Sequence, residues 1–555
     1  MAGRFDAVTL EILWKRLIAA VDEASVALVR VAFSSVVRES SDFACVITDT
    51  HGRLLAQATA SIPSFIGTLP RTVRHFIDRF DVARMKPGDV FICNDPWYGT
   101  GHLSDVNIMM PIFHKGTVVG FAASTAHAPD IGGRTGSMEM RDVFEEGFQI
   151  PPLKLMDAGQ IDVTLIALLR ANVRAPDEVV GDLFAQITGL EVIEQRVLTL
   201  MEEHGLAELS SLAAEIHDRS EAAMRAAIAE IPAGTYRFTV TPDGLIEPIT
   251  MTVLLTFDGK SCTVDYENVT SQLDGSALNS VYAYTYAYTS YGLKCILAPS
   301  LPNNDGVWRP ITVRAPEGSV LNHRFPTGGY WRHMLGHYLP VAILGAMAEV
   351  IPERVIAPSG GAPTWSMQQS GITEDGKPYA NFFFFAGGMG GNCRHDGPAV
   401  LSWPSNIAGV AVEYMERLAP FRVERKALRT DSGGAGKHRG GLGLEVAMRV
   451  TETKPISLGI AADRLRKGAD GVGGGGAGAP GEFLINDKPA DTRRMHTLRT
   501  GDRMTVRTPG GGGFGNPAER PAHLIERDRI EGYVSVSTGA AAGLSHRGDE
   551  ASRKR

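Results

Sequence analysis

Four short stretches in the first third of the sequence gather side chains that can hold a cation or move a proton. They are Arg38-Glu39-Ser40-Ser41-Asp42, Asn94-Asp95-Pro96, Gly101-His102-Leu103-Ser104-Asp105 and Ala126-His127-Ala128-Pro129-Asp130. A divalent ion of the zinc, manganese or iron type needs neutral imidazole and ionised carboxylate at roughly 2 Å, from a rigid frame that leaves a position open for water. Asp42, His102, Asp105 and His127 can supply that set. The His-x-x-Asp spacing occurs twice and lets both side chains converge from one turn, while Gly99, Gly101, Gly132 and Gly133 permit tight backbone paths beside them. Spacing alone leaves a second reading open, in which each histidine caps a turn and each aspartate bonds backbone amides.

Each stretch adjoins a strand-like run, Ala44–Thr48, Val90–Cys93, Val106–Phe113 or Val118–Ala123, and turn dipeptides such as Pro87-Gly88 and Lys115-Gly116 separate the runs. Ahead of them, Leu10, Leu13, Leu17, Val21 and Ala24 recur at helical steps and predict one long opening helix over about 7–33. A helical hairpin broken near Gly205 is expected over 176–232. The tyrosines at 282, 284, 286, 288 and 291 step by two as in a strand, but the surrounding Ala and Leu favour a helix. Beyond Met415 the pattern is β-like and rich in glycine. The expected fold is mixed α/β, with a metal-bearing region at 1–175, the hairpin at 176–232, a middle α/β region at 233–415, a β-rich domain at 416–520 and a tail at 521–555 with no periodicity in its last residues.

Bulk properties exclude several function classes. Of 555 residues 44% are hydrophobic and 21% charged, ample for a large buried core. The net charge of −7, with no basic stripe before the last few residues, lacks the footprint of a nucleic-acid binder. Five cysteines, widely spaced and never in a CxxC pair, point to a reducing compartment, with the cytoplasm expected. Long uncharged windows such as 54–70 and 275–293 are studded with Ser, Thr and other polar residues, so no membrane span is expected.

The chain resembles the hydantoinase B/oxoprolinase family along almost its whole length. The matching phrases are Arg38-Glu-Ser-Ser-Asp-Phe43, Asp49-Thr-His-Gly-Arg-Leu54, Pro87-Gly-Asp-Val90, Asn94-Asp-Pro96 with Gly101-His102 and Asp105, and His127 with Asp130-Ile-Gly-Gly133. They continue with Glu146-Gly-Phe-Gln-Ile-Pro-Pro152, Pro316-Glu-Gly-Ser319, Asp431-Ser-Gly-Gly-Ala-Gly436 through Arg439-Gly-Gly-Leu-Gly443, and Pro509-Gly-Gly-Gly-Gly-Phe-Gly515. The resemblance implies that Asp42, His102, Asp105 and His127 hold the metal, zinc first with manganese or iron as alternatives. It leaves Asp130, Glu39 and Glu146 as acceptors for the ligating imidazoles or as general acids and bases. It also implies a hetero-oligomer, in which a hydantoinase A-like partner with an actin-like fold uses ATP to phosphorylate a cyclic amide or an enolisable ketone. This chain would then open the ring of the activated amide. The same family contains ketone carboxylases, and a non-catalytic scaffold for the ATPase chain is the rival from another class.

Two phrases depart from the family pattern: Asn322-His323 stands where Asn-Pro is usual, and Asn406-Ile-Ala-Gly-Val-Ala-Val-Glu413 where Asn-Thr-Pro-Val-Glu is usual. His333 and His337 stand four apart without an HExxH glutamate, which favours a structural or substrate-facing role over ligation. No glycine run reads GxxxxGK[ST] or GxGxxG, so ATP is expected on the partner and the glycines are expected to serve turns and close packing, including at the partner interface. Cys45 and Cys93 lie in apolar runs and read as buried structural thiols.

Overall fold

The computed structural model describes residues 5–134, 136–244, 247–451 and 454–535. The opening helix, Ala7–Val31, begins where Asp6 Oδ1 accepts from the amides of Val8 and Thr9 at 3.0 Å. Its stripe of Leu10, Leu13, Leu17, Val21 and Ala24 is buried against the helix Pro176–Glu203 and one face of the first sheet.

That sheet has seven strands: β1 (Phe43–Thr48), β2 (Leu54–Gln57), β3 (Val90–Cys93), β4 (Asp105–His114), β5 (Thr117–His127), β6 (Leu153–Asp157) and β7 (Gln160–Ile161), in the order β2-β1-β5-β4-β3-β6-β7. The helix Phe65–Arg79 covers the other face. With both faces covered, every residue of β1 is buried, which is why it reads as an unbroken apolar run rather than an alternation. The register sets the chemistry. Phe43 pairs with Ala126 across β1 and β5, and Asp105 pairs with His127 across β4 and β5. Asp42, Asp105 and His127 therefore stand at one end of three neighbouring strands.

The middle of the chain adds β8 (Gly234–Val240), β9 (Met251–Phe257), β10 (Cys262–Glu267) and β11 (Ile311–Arg314), in the order β11-β10-β9-β8. The tyrosine-rich stretch is a helix, Tyr282–Leu297, packed against Tyr338–Met347 and Phe65–Arg79. Two further sheets share one apolar core. One is built from β12 (Trp365–Ile372), β13 (Pro378–Phe385), β16 (Ile456–Ala461) and β19 (His496–Leu498), in the order β13-β12-β16-β19. The other joins β14 (Phe421–Leu428), β15 (Leu444–Val450), β17 (Glu482–Ile485), β18 (Lys488–Pro489) and β20 (Arg503–Arg507). Although β12 and β13 precede residue 415, β12 pairs with β16, so these strands belong with the C-terminal sheets.

The glycine runs pass one another as extended segments cross-linked by their own backbone. Gly441 N donates to Met389 O at 2.7 Å, Gly434 N to Gly511 O at 2.9 Å, and Gly513 N to Gly476 O at 2.9 Å. A Cβ on Gly390 would lie 1.7 Å from Ala357 O, and one on Gly440 would lie 1.9 Å from Gly511 O. The close packing is thus between segments of this chain.

Part of the segment expected as a tail is also folded. The helix Ala522–Ile530 is fastened by Arg520, which donates to Asp396 and Asp528, and Arg439 pairs with the same Asp528. Carboxylates facing arginines, Asp528 buried and Asp396 half-buried, hold this piece rather than apolar periodicity, so the hydrophobic pattern gave no sign of it. Residues 536–555 lie outside the described residues. Among the described residues no helix is long and apolar enough to cross a membrane.

Candidate metal centre

His102 lies in the loop before β4, Asp105 is the first residue of β4, and His127, the last of β5, faces it in register. One ligand atom from each lies within 4.8 Å of the others, and all three side chains are buried. His102 Nε2 and Asp105 Oδ1 are 2.9 Å apart, yet neither makes a hydrogen bond, and His127 Nδ1 also lacks a partner. A cluster of unpaired buried polar atoms is costly unless something binds there. Two imidazoles and a carboxylate converging this way fit a divalent cation.

Asp42 lines the same chamber outside that three-residue cluster, and Ser41 before it adopts a left-handed φ of 57°. Burial, then the charge of Asp105, push the Asp42 carboxyl up to about 8. Without a cation, Asp42 therefore holds a proton. Burial also acts to raise Asp105, but His102 and Arg332 outweigh it and hold that carboxyl well below its usual range. Of the two carboxylates, Asp105 carries the charge.

Arg332 is the main residue that sequence reasoning missed. Its Nη2 lies 2.5 Å from Asp105 Oδ2, which also accepts from Thr100 Oγ1, so Asp105 is left with Oδ1 free to face the histidines. Arg332 Nε donates to Thr100 O at 2.6 Å, and the guanidinium stacks on Tyr284 at 4.4 Å. Gly101, at φ 100°, makes room for it, since a Cβ there would lie 2.7 Å from Arg332 Cδ. His102 Nδ1 sits 3.2 Å from Tyr330 O, so the acceptor that orients this imidazole is a backbone carbonyl. A signal did exist: an arginine inside Tyr330-Trp-Arg-His-Met-Leu335, where a buried guanidinium must find a carboxylate.

The three candidate acid/base carboxylates lie elsewhere. Asp130 pairs with Arg174 Nη1 at 2.6 Å and accepts from the Arg174 amide, which fastens the loop after β5. Glu39 caps the C-terminus of the short helix Ser35–Arg38. Neither lines the chamber. Glu146 is buried, and its Oε1 accepts from Gly329 N at 2.6 Å. Burial raises its carboxyl to about 7 against the hydrogen bond from the Gly329 amide, and Oε2 makes no hydrogen bond. Glu146 thus anchors the loop that leads to Tyr330 and Arg332.

Across the chamber stand His333 and His337. His333 Nε2 lies 3.1 Å from Ser366 Oγ. Thr364 N donates to His337 Nδ1 at 3.2 Å, so the His337 proton sits on Nε2, 2.9 Å from Tyr288 Oη. Burial lowers both imidazoles, His337 to about 3, and keeps them neutral. Cys45 and Cys93 are buried strand residues whose thiols burial pushes up to about 11 and 12, which removes thiolate chemistry.

Relatives share this architecture. An uncharacterized protein of Methanocaldococcus jannaschii is 32% identical over 96% of this chain and 95% of its own length. Caprolactamase subunit beta of Pseudomonas jessenii is 26% identical over 96% of this chain and 94% of its own. The crystal structure of ATP-dependent caprolactamase from the same organism superposes with a TM-score of 0.90 at 26% identity, over 99% of both chains. Residues 6–517 match the hydantoinase B/oxoprolinase family, and the chain belongs to that family.

Proposed function

We propose that the chain is the metal-bearing subunit of an ATP-dependent cyclic-amide hydrolase, working on a substrate phosphorylated by a separate hydantoinase A-like subunit. The observation that carries the reading is the set of unpaired buried atoms on His102, Asp105 and His127. The name of the caprolactamase relative, a beta subunit of an ATP-dependent enzyme, supports a complementary partner. An amide carbon is a poor electrophile, and phosphorylating its oxygen makes it attackable.

His102, Asp105 and His127 would hold the cation, zinc first and manganese or iron next, with Asp42 completing the set once it ionises. When bound, such an ion supplies Lewis acidity toward an oxygen of water or substrate. The chain's own groups do the rest. Arg332 fixes the Asp105 carboxylate in its charged form, and the Tyr330 carbonyl keeps the proton of His102 on Nδ1, leaving Nε2 free to coordinate. His333 and His337, both neutral, line the opposite wall, the latter with its Nδ1 taken by the Thr364 amide and its proton directed to Tyr288 Oη. Trp331, Phe382 and Phe65 limit water in the chamber, which strengthens each of these interactions.

The test is metal analysis of the purified chain, then an ATP-hydrolysis screen of the complex with its natural partner across hydantoins, lactams, oxoproline and small ketones. Ring opening without bicarbonate is expected. Turnover confined to ketones and dependent on bicarbonate would overturn the hydrolase reading.

A further inference from the structure

The chamber beside the metal ligands measures only about 40 Å³. That is room for one or two waters, and too little for a lactam or hydantoin ring. Next to it lies a second cavity of about 370 Å³, within the ~300–1,000 Å³ typical of small-molecule sites. Phe384 and Ile407 belong to the walls of both. Most of the remaining lining is apolar and includes Phe383, Phe385, Val410, Met415 and Leu444, while Ser402 bonds Ser405, Asn406 bonds Ser61 O, and Lys426 is turned to the carbonyl of Val410, 2.9 Å from its Nζ.

The segment that carries Ile407 is fastened to the loops that build the chamber. Asn406 Nδ2 donates to Ser61 O at 3.1 Å, Ala408 N donates to Ser40 O at 3.1 Å, and Ser405 Oγ lies 2.9 Å from Thr364 Oγ1. Ser40 is two residues from Asp42, Ser61 adjoins Ile62 of the chamber wall, and Thr364 lines the chamber itself. This is also the segment, Asn406–Glu413, where the sequence departs from the usual family phrase. A strap bound at these points holds the second cavity in fixed relation to the metal ligands.

We propose that the 370 Å³ cavity receives an apolar substituent on the substrate ring, passing between Phe384 and Ile407, and that the Ile407–Val410 strap sets which substituent is accepted. The inference rests on the cyclic-amide reading for the ring and on the shared wall for the substituent. A ring placed at the ligands must extend beyond a 40 Å³ chamber, and the polar side chains that line the adjoining space, Ser402, Asn406 and Lys426, already bond within the protein.

The experiment has two arms. In the first, the full chain is titrated calorimetrically with hydantoin, 5-isobutylhydantoin and 5-benzylhydantoin. Affinity should rise at least tenfold from the parent to the substituted compounds, and Ala408→Phe and Val410→Phe, two independent fillings of the cavity, should each erase the increment. In the second, the complex with its partner is assayed with ATP and the same compounds. The ratio of kcat/KM for benzyl over parent should fall at least tenfold in either filled variant and shift toward larger groups in Ile407→Ala. Equal affinities for all three compounds, or an increment that survives both fillings, would overturn the proposal. Turnover of every hydantoin with no substituent preference would sink the cavity and leave the hydrolase reading standing. An affinity increment with no turnover of any cyclic amide would do the reverse.

Discussion

The metal chamber and the glycine-rich bundle use buried polar groups in opposite ways. In the bundle, the close-packed backbones satisfy each other, as in Gly441 N to Met389 O, and side chains are excluded because none fits. In the chamber, side-chain atoms of His102, Asp105 and His127 remain without hydrogen bonds. One region spends its polar groups on cohesion. The other keeps them in reserve for a ligand, and it can do so because Arg332, Tyr330 and Glu146 hold the reserved groups still. Substitutions in the bundle should therefore act on folding, and substitutions in the chamber on metal and turnover.

The largest effect is expected in the bundle. Gly390→Ala would place a Cβ 1.7 Å from Ala357 O, and Gly440→Ala would place one 1.9 Å from Gly511 O, with backbone that cannot yield. Each should cost more than about 4 kcal/mol, into the range that usually marks a failed fold. Thermal unfolding and soluble yield would show it. A melting curve within a few degrees of wild type would mean that the bundle is loose and the contrast misplaced.

The next effect belongs to the chamber. His127→Ala removes a group with an unpaired Nδ1, so the fold should tolerate it while bound metal falls to background. ATP-dependent turnover in the complex should drop by more than about 100-fold, beyond the ~10–100-fold typical when a ligand's supporting group is lost. Metal analysis beside a melting curve separates the two regions. Full turnover without metal would break the proposed site.

How much of this was legible in the sequence follows from range. The strand-like runs beside each candidate ligand were visible because both faces of the first sheet are covered and its strands read as apolar blocks. That placed Asp42, His102, Asp105 and His127 at strand ends without saying which strands are neighbours. The β1-β5-β4 order depends on pairings no local pattern encodes. Arg332 and Tyr330 lie more than 200 positions from the groups they orient, at separations of 227 and 228 residues. Asp130 and Glu39 enter through the family resemblance as acceptors for the imidazoles, yet Arg174 claims the first and a helix end the second. The glycine runs were countable, but their mutual contact was not, because glycine carries no side-chain pattern to read.

A smaller effect sharpens the idea of groups held in reserve. Glu146 is not among the residues lining the chamber, yet through Gly329 N it holds the loop carrying Tyr330 and Arg332, which orient His102 and Asp105. Glu146→Gln keeps one acceptor for Gly329 N and should weaken metal affinity by about 10-fold, and Glu146→Ala by about 100-fold, the span expected for groups that support a ligand. Competition with a chelator gives both numbers. Equal affinity in all three proteins would show that the loop holds its position without this carboxyl.

The smallest expected effect is on pH dependence, and it differs between the metal-free and metal-bound chain. Asp42, raised to about 8, and Glu146, raised to about 7, keep protons in the folded state that an unfolded chain releases above ~4. Their contribution is full below that value and is lost as pH rises through 7 and 8. The buried imidazoles act the other way, since His127 and His337, lowered to about 3, cost stability only where the unfolded chain takes up protons, below ~6.5. Between pH 6.5 and 8.5 the metal-free chain should therefore lose about 1–2 kcal/mol from Asp42, a few degrees in melting temperature. Saturating zinc should remove the Asp42 part of the slope, because a liganded Asp42 is ionised throughout, and Asp42→Asn should remove it without metal, leaving the shallower part due to Glu146. A slope undiminished in Asp42→Asn would place the titrating group elsewhere and remove Asp42 from the proposed ligand set.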